Sequence, residues 1–317
     1  MSEKNDPPPP TIDTPEPPRL TRQIVDAALS ISDLGPERPE YLHAVLCQVG
    51  LPRSKPKGRT FQRSSGNASL MLEAGSRATG LGKWEEMPLP YGSKPRLVLY
   101  HLCSEAIRTQ SAIIDVGGSV RDFLRRVGIG WGGGEFTAFK HQMSALACCR
   151  MTLAYVPQNG RITQMQATPI KKFEAWTHLD PKQGALWPDE IHLDRDFFET
   201  LANHAVPLDP RAIGALQNSA MALDVYTWLA HRICRVRTDK GVKVSWGNMR
   251  EQFGQEYAAP KDFKKALKVA LRGVLKAYPT ARITEEAGGI RLYPSPPPIP
   301  KTQVVVSLPS LGLTEDE

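Results

Sequence analysis

The sequence predicts an α+β fold made of two tandem units of one design, with proline-rich tails expected to be disordered. Three observations predict it. First, the order helix, short strand, short helix, turn, helix, hairpin occurs twice along the 317 residues. Second, the spacing is constant: Val120 to Trp246 and Glu135 to Lys261 are each 126 positions apart. The similarity is one of pattern, not of residues. Third, hydrophobic residues make up 41% and charged residues 23% of the chain, enough for real cores and too much for a wholly disordered protein. A repeat this long is no solenoid and suits two domains. A helix-turn-helix followed by a β-hairpin is the winged-helix arrangement, and both units read as one.

Residues 1–20 hold seven prolines, from Pro7 to Pro18, and read as an extended tail. Residues 21–93 read as a helical, Gly/Ser-rich extension. Within it, Arg22–Ser32 is expected to be a short helix with Ile24, Val25, Ala28 and Leu29 on one side. Glu40–Val49 is expected to be a second, carrying Leu42, Val45 and Leu46. From Gly58 to Gly82 only Ser69–Glu73 suggests a strand, and residues 33–93 carry no assigned role.

The first winged-helix domain is expected over 94–177. Pro95 sits at a helix start, where proline is tolerated. Val98, Leu99, Leu102, Cys103 and Ala106 follow with a 3.6-residue period. Ile113-Ile114 is a short strand, broken by Gly117-Gly118. Ser119 and Asp122 resemble a capping box, with Asp in place of Glu or Gln. Val120, Phe123, Leu124 and Val127 form the next helical stripe, and Gly128 stops it. A helix from Glu135 turns Phe136, Phe139, Met143 and Leu146 inward. Met151 to Val156 is a strand, Asn159-Gly160 a hairpin turn, and 161–176 the return.

Residues 178–208 read as a connector. The second domain, expected over 209–293, opens with a helix whose face is Ala222, Val225, Tyr226, Leu229 and Ile233. Val242 and Val244 flank Lys243 in a strand. Ser245 caps a short helix with Trp246, Met249 and Phe253 inward, closed by Gly254. Pro260 opens a longer helix. A strand at Ala281–Glu285, a turn at Gly288-Gly289 and a return at Ile290–Tyr293 complete the unit. Residues 294–317, with five prolines before 301 and the acidic end Thr314 to Glu317, read as a second disordered tail.

The charge map singles out the second unit. His231–Lys276 carries twelve basic and four acidic residues, +8 against +7 for the whole chain, so the remainder sums to −1. The helix from Pro260 divides cleanly. Phe263, Ala266, Leu267, Ala270, Leu271 and Val274 share one face; Lys261, Lys264, Lys265, Lys268 and Arg272 share another. In a helix-turn-helix the second helix enters the major groove. If about five cations neutralise phosphates, log K falls against log salt with a slope near −4.5, roughly a 500-fold loss between 50 and 200 mM. A solvated basic face is the competing reading. Lysines position a protein on DNA, whereas Arg, Asn and Gln read base edges. Arg272, Arg250, Asn248 and Gln252 are the candidates for that work, and Lys243 adds a phosphate contact from its strand. In the first unit, Thr137, Lys140, His141 and Ser144 are expected to face outward. Arg121, Arg125, Arg126, Arg150 and Arg161 surround them. Lys140, Arg161 and Arg121 are its DNA-binding candidates. Self-association through the same fold is the open alternative.

Other chemistries find little support. Cys47, Cys103, Cys148, Cys149 and Cys234 contain no CxxC pair, so they read as free thiols in a reducing compartment. Gly75 to Gly80 has the gap of a phosphate loop, but Leu81 stands where Lys is required. Gly128-Ile129-Gly130-Trp131-Gly132 follows a helix rather than a strand, so it reads as a turn and not a dinucleotide loop. His178 and His192 are too far apart for a local metal motif. Asp189, Glu190, Asp194 and Asp196 cluster, yet Asp194 reads more simply as a helix cap ahead of Phe197, Phe198 and Leu201. No metal, cofactor or catalytic residue is expected. No window of 18 apolar residues exists, and Met1 to Leu20 has no apolar signal core, so the expected place is the cytoplasm or nucleoid, with no membrane partner.

The run Lys94-Pro95-Arg96-Leu97-Val98-Leu99, continuing through Ser104 to Ser111, resembles the plasmid-encoded RepA family of replication initiators. So do Ala222 to Leu229 and Asp262 to Pro279. The resemblance covers about 90–295. It implies a non-enzymatic protein that binds repeated sequences in double-stranded plasmid origin DNA, helps to open the duplex, and recruits the host replication helicase or initiator proteins. A homodimer is the alternative role of the first unit. Two other functions stay open: a transcriptional regulator on the same fold, and a metal-dependent nuclease or relaxase.

Overall fold

The computed structural model describes residues 24, 26–27, 30–31, 38–117, 119–130, 132–156, 163–167, 169–172 and 190–300. Residues 1–20 and 301–317, the Asn159-Gly160 turn, Trp131, Arg161, His178 and Asp189 lie outside them. The described residues of the expected first helix, Ile24, Asp26, Ala27, Ser30 and Ile31, are helical.

From there the chain runs through strand β1 (Glu40–His43), helix α1 (Ala44–Gln48), and strands β2 (Thr60–Ser65), β3 (Ala68–Glu73), β4 (Ser76–Gly80) and β5 (Lys83–Glu86). Helix α2 (Ser93–Thr109), β6 (Ile113–Asp115), α3 (Val120–Arg126), α4 (Gly133–Cys148), β7 (Arg150–Tyr155), β8 (Thr163–Ala167) and β9 (Ile170–Lys172) follow. Next come β10 (Glu190–Leu193), α5 (Arg195–His204), β11 (Ala205–Leu208) and α6 (Pro210–Leu216). Helix α7 (Ala220–Arg232), β12 (Val242–Ser245), α8 (Trp246–Phe253), α9 (Pro260–Ala277), β13 (Ile283–Glu286) and β14 (Gly289–Leu292) end it. The molecule is therefore mixed α+β, as expected.

The second unit follows the expected order closely. Ser245 caps α8 by accepting from Asn248 N at 3.1 Å, satisfying one of the N–H groups a helix start leaves open. Pro260 occupies the first turn of α9, where its missing N–H costs nothing. The buried face of α9, Phe263, Leu267, Ala270, Leu271 and Val274, packs on α6, α7 and α8. The strands form an antiparallel sheet in the order β12-β14-β13. Gly288, at φ +83, makes the β13–β14 turn, a conformation that favours glycine.

Three segments outside the two expected units depart from expectation, two in the 21–93 extension and one in the connector, and in each a strand pairs with residues distant in sequence. Glu40–Val49 is not one helix. Glu40–His43 pairs with Leu208–Ala205, and His43 Nδ1 accepts from Val45 N to start α1. A strand about 160 residues away overrides the local helical period. Residues 60–86 are four strands rather than a loop with one. Ala68, Leu70 and Leu72 alternate inward, with Leu70 opposite Leu153 and Leu72 opposite Met151. The result is one sheet in the order β2-β3-β7-β8, so part of the 21–93 extension completes the hairpin of the first unit. Finally, β10, from the expected connector, inserts between β6 and β9, with Ile191 opposite Ile114. Boundaries at 93 and 178 therefore cut through sheets.

Residues 294–300, expected within the C-terminal tail, are held to the fold. Tyr278 Oη donates to Pro296 O at 2.5 Å, Ser295 Oγ accepts from Arg282 N at 3.0 Å, and Ile299 is buried.

One hydrophobic cluster spans both units, from Tyr41 to Leu292. Beside it lies a buried ionic network. Arg96 of α2 forms a two-pronged pair with Asp224 of α7, at 2.7 and 2.9 Å, and donates to the carbonyls of Leu51, Pro52 and Gly92. Arg53 reaches Asp224 at 3.2 Å and also pairs with Glu256. Arg63 of β2, fully buried, reaches Glu256 at 2.8 Å. Three guanidiniums and two carboxylates thus tie α2 and β2 to the second unit. Every charge has an opposite partner, the condition for tolerating charge away from water.

Candidate nucleic-acid interface

Helix α9 builds the candidate surface. Its first half places Lys261 and Lys265 in solvent, and its second half does the same for Arg272 and Lys276. Positions 261, 265, 272 and 276 recur at helical intervals of four, seven and four, so the four cations share one stripe. The opposite face is the buried one described above.

Two of the expected lysines behave differently. Lys264 Nζ lies 4.8 Å from the Trp246 ring centroid and Lys268 Nζ lies 5.8 Å from it. Lys268 is also paired with Glu285 of β13. Both are half-buried. Their charge is shared with an aromatic face and, for Lys268, with a carboxylate. Sequence periodicity groups all five cations; only the position of Trp246 separates them.

Two of the three candidate base readers on α8 are engaged inside the protein. Gln252 is buried, and its Nε2 donates to Gln48 O at 2.7 Å. Arg250 Nη2 donates to Ala258 O at 3.2 Å, closing the loop between α8 and α9. Asn248 serves the Ser245 cap and stays exposed. Lys243 is exposed on β12, with Nζ beside the Gly288 turn. This brings it to the hairpin tip, where Arg291 pairs with Glu286.

In the first unit, Arg121 is exposed and Lys140 half-exposed. Arg125 pairs with Asp122 at 3.2 Å, and Arg126 Nη1 lies 3.4 Å from Asp115 O. Ser144, expected outward, is buried beside the Arg77 guanidinium at 3.5 Å. The reason is the β4–β5 hairpin, which covers the end of α4 and leaves no signal in the sequence. Arg161 lies outside the described residues.

Among the described residues no group of three or more His, Cys, Asp or Glu is placed to hold a metal ion. Asp194 caps α5 by accepting from Asp196 N and Phe197 N. The five cysteines are free thiols; Cys47, Cys103 and Cys149 are buried, and burial pushes Cys103 and Cys149 up to about 12. They are protonated at neutral pH and poor nucleophiles. No described helix is long and apolar enough to cross a membrane.

The fold and this helix define an α+β protein with a cationic amphipathic helix packed on three other helices and tied to a three-stranded sheet by the Lys268–Glu285 pair. Residues 89–248, half of the chain, match the family described as plasmid encoded RepA protein. The chain belongs to this RepA family, and plasmid replication initiation is the function class that membership supports. The matched stretch runs from just before α2 into α8; α9 lies beyond it. No curated protein sequence matches the chain. Two crystal structures of domains 2 and 3 of RctB align with it. One does so with a TM-score of 0.49 at 11% identity, over 80% of this chain and 99% of that one. The other gives 0.46 at 10% identity, over 79% and 96%. Likeness at that level goes no further than the alignment itself.

Proposed function

We propose that both helix–strand–helix–helix–hairpin units are winged helices, and that the protein is a non-enzymatic initiator binding repeated sequences at a plasmid origin. The second unit supplies most of the affinity. Helix α9 enters the major groove with Lys261, Lys265, Arg272 and Lys276 toward DNA, and Lys243 at the hairpin tip adds a phosphate contact. Lys264 and Lys268 hold the helix against Trp246 and contribute less. The first unit contacts the adjacent half-site through Lys140 and Arg121, or pairs two copies of the chain. Opening of the duplex and recruitment of the host helicase follow from the bound state.

The observation that carries this reading is the exposed four-cation stripe on a helix whose other face is core. Mobility-shift titration tests it, on the intergenic repeats beside the gene and on a shuffled control, at several salt concentrations. Tight binding that steps up with repeat number and weakens steeply with salt is expected. Equal weak binding to both probes overturns it. Magnesium-dependent nicking of supercoiled origin DNA by the pure protein would overturn the non-enzymatic part.

A further inference from the structure

Helix α9 leaves one large apolar side chain more than half exposed. Val269 is 56% exposed. A lone exposed valine is ordinary on most surfaces. Its position here is not. It lies four residues after Lys265, three before Arg272 and seven before Lys276, so it borders the cationic stripe at mid-length of the helix. Local physics gives no reason for it: β-branched residues lose side-chain freedom in helices, and the neighbouring exposed positions carry Lys, Arg and, two turns before it, Asp262.

Ile24 and Leu216 lie beside Gly273, one turn on, yet Val269 keeps more than half of its surface open. The four cations around Val269 complement a polyanion and repel a cationic partner, and that sets the occupant as nucleic acid. On double-stranded DNA a groove-facing helix meets one prominent apolar feature, the C5-methyl of thymine in the major groove. Lysines beside it reach phosphates and carry no sequence information. Resting on the reading of α9 as the DNA-facing helix, we propose that Val269 is a specificity-determining residue that packs against a thymine methyl group. The cations then set affinity and salt dependence, while Val269 supplies discrimination that charge cannot.

The test uses the full chain, a duplex carrying one copy of the repeat, and a set of duplexes in which single thymines are replaced by deoxyuridine. That replacement removes only the methyl group. For the wild-type protein, one substitution should weaken binding about fourfold, the value of one buried methyl-sized group. Val269→Ala should bind the normal repeat about fourfold more weakly and be indifferent to deoxyuridine at that position. Its salt slope should match the wild type, and its thermal unfolding should be unchanged or slightly higher, because the side chain is exposed and alanine forms helix better. Val269→Thr, which keeps one methyl, should retain part of the deoxyuridine sensitivity. If Val269→Ala shows the same deoxyuridine profile as the wild type, or no position is sensitive in either, the inference is wrong while the DNA-binding reading stands. Failure of the wild type to prefer the repeat at all overturns both.

Discussion

At the scale of single residues, the charges that matter for folding are not those that matter for DNA. Asp224 is the only charged residue in an otherwise apolar run, Ala220 to Ala230. It is buried and accepts from both Arg96 and Arg53. Removing it leaves the Arg96 guanidinium without a counter-charge in the interior and Arg53 with Glu256 alone. Asp224→Ala should therefore destabilise the fold by about 3–5 kcal/mol, read from urea unfolding. Arg195→Ala, which breaks the solvent-exposed pair with Glu199 on α5, should change stability only marginally. A similar small loss at both sites would mean the buried network carries little. Gln252 belongs with the first group. Gln252→Ala should lower the unfolding midpoint and leave DNA affinity alone, because its amide bonds Gln48 O rather than facing outward.

At the scale of elements, α9 divides its cations between two tasks. Lys264→Ala with Lys268→Ala removes both cations from the Trp246 ring and breaks the pair with Glu285. The pair of changes should cost about 1–2 kcal/mol of stability, shift Trp246 fluorescence, and move the DNA salt slope by less than about one unit. A slope change near two would return these lysines to the phosphate-binding set.

How much was legible follows the range of the interactions. Helices α7, α8 and α9 could be read because a 3.6-residue period, Ser245, Gly254 and Pro260 are all local marks. The β13–β14 hairpin could be read from Gly288-Gly289. Strand β1 could not, since Tyr41 to His43 is extended only because Val206 and Ala205 lie beside it. Strand β10 and the Ser144 burial fail for the same reason. At the candidate site, the basic face of α9 was evident, but its division by Trp246 was not. Arg250 and Gln252 look like surface residues of a short helix until the loop and α1 are placed. Asp224 did leave a signal, a lone carboxylate in an apolar helix; Arg63 left none.

At the scale of the whole molecule, the ionic network and the continuous core join the two units. One cooperative unfolding transition is expected, not two. The fold should also be labile to acid, and the sign follows from the shifts. Burial lowers the imidazoles of His43, His101 and His231 to about 4 from 6.5. Burial alone would raise Glu256, but Arg53 and Arg63 outweigh it and hold the carboxyl at about 2, below 4.5. All four groups bind protons less readily when folded. The histidines contribute stability that is present above pH 6.5 and lost down to about 4. Glu256 contributes stability present above pH 4.5 and lost down to about 2. Stability should fall continuously below about pH 6.5, on the order of several kcal/mol by about pH 4. A flat unfolding free energy from neutral pH down to about pH 4 would contradict this.

The central claim is that the outer stripe of α9 is the surface that meets DNA. The most direct measurement is the salt dependence of repeat binding for the wild type and for a variant with Lys261, Lys265 and Arg272 all changed to Ala. These three side chains are exposed and off the buried face, so folding should be intact. The variant should bind more weakly, with a slope shallower by about 2.7, at about 0.9 for each phosphate no longer neutralised. An unchanged slope would mean that α9 faces solvent and that DNA, if bound, is held elsewhere.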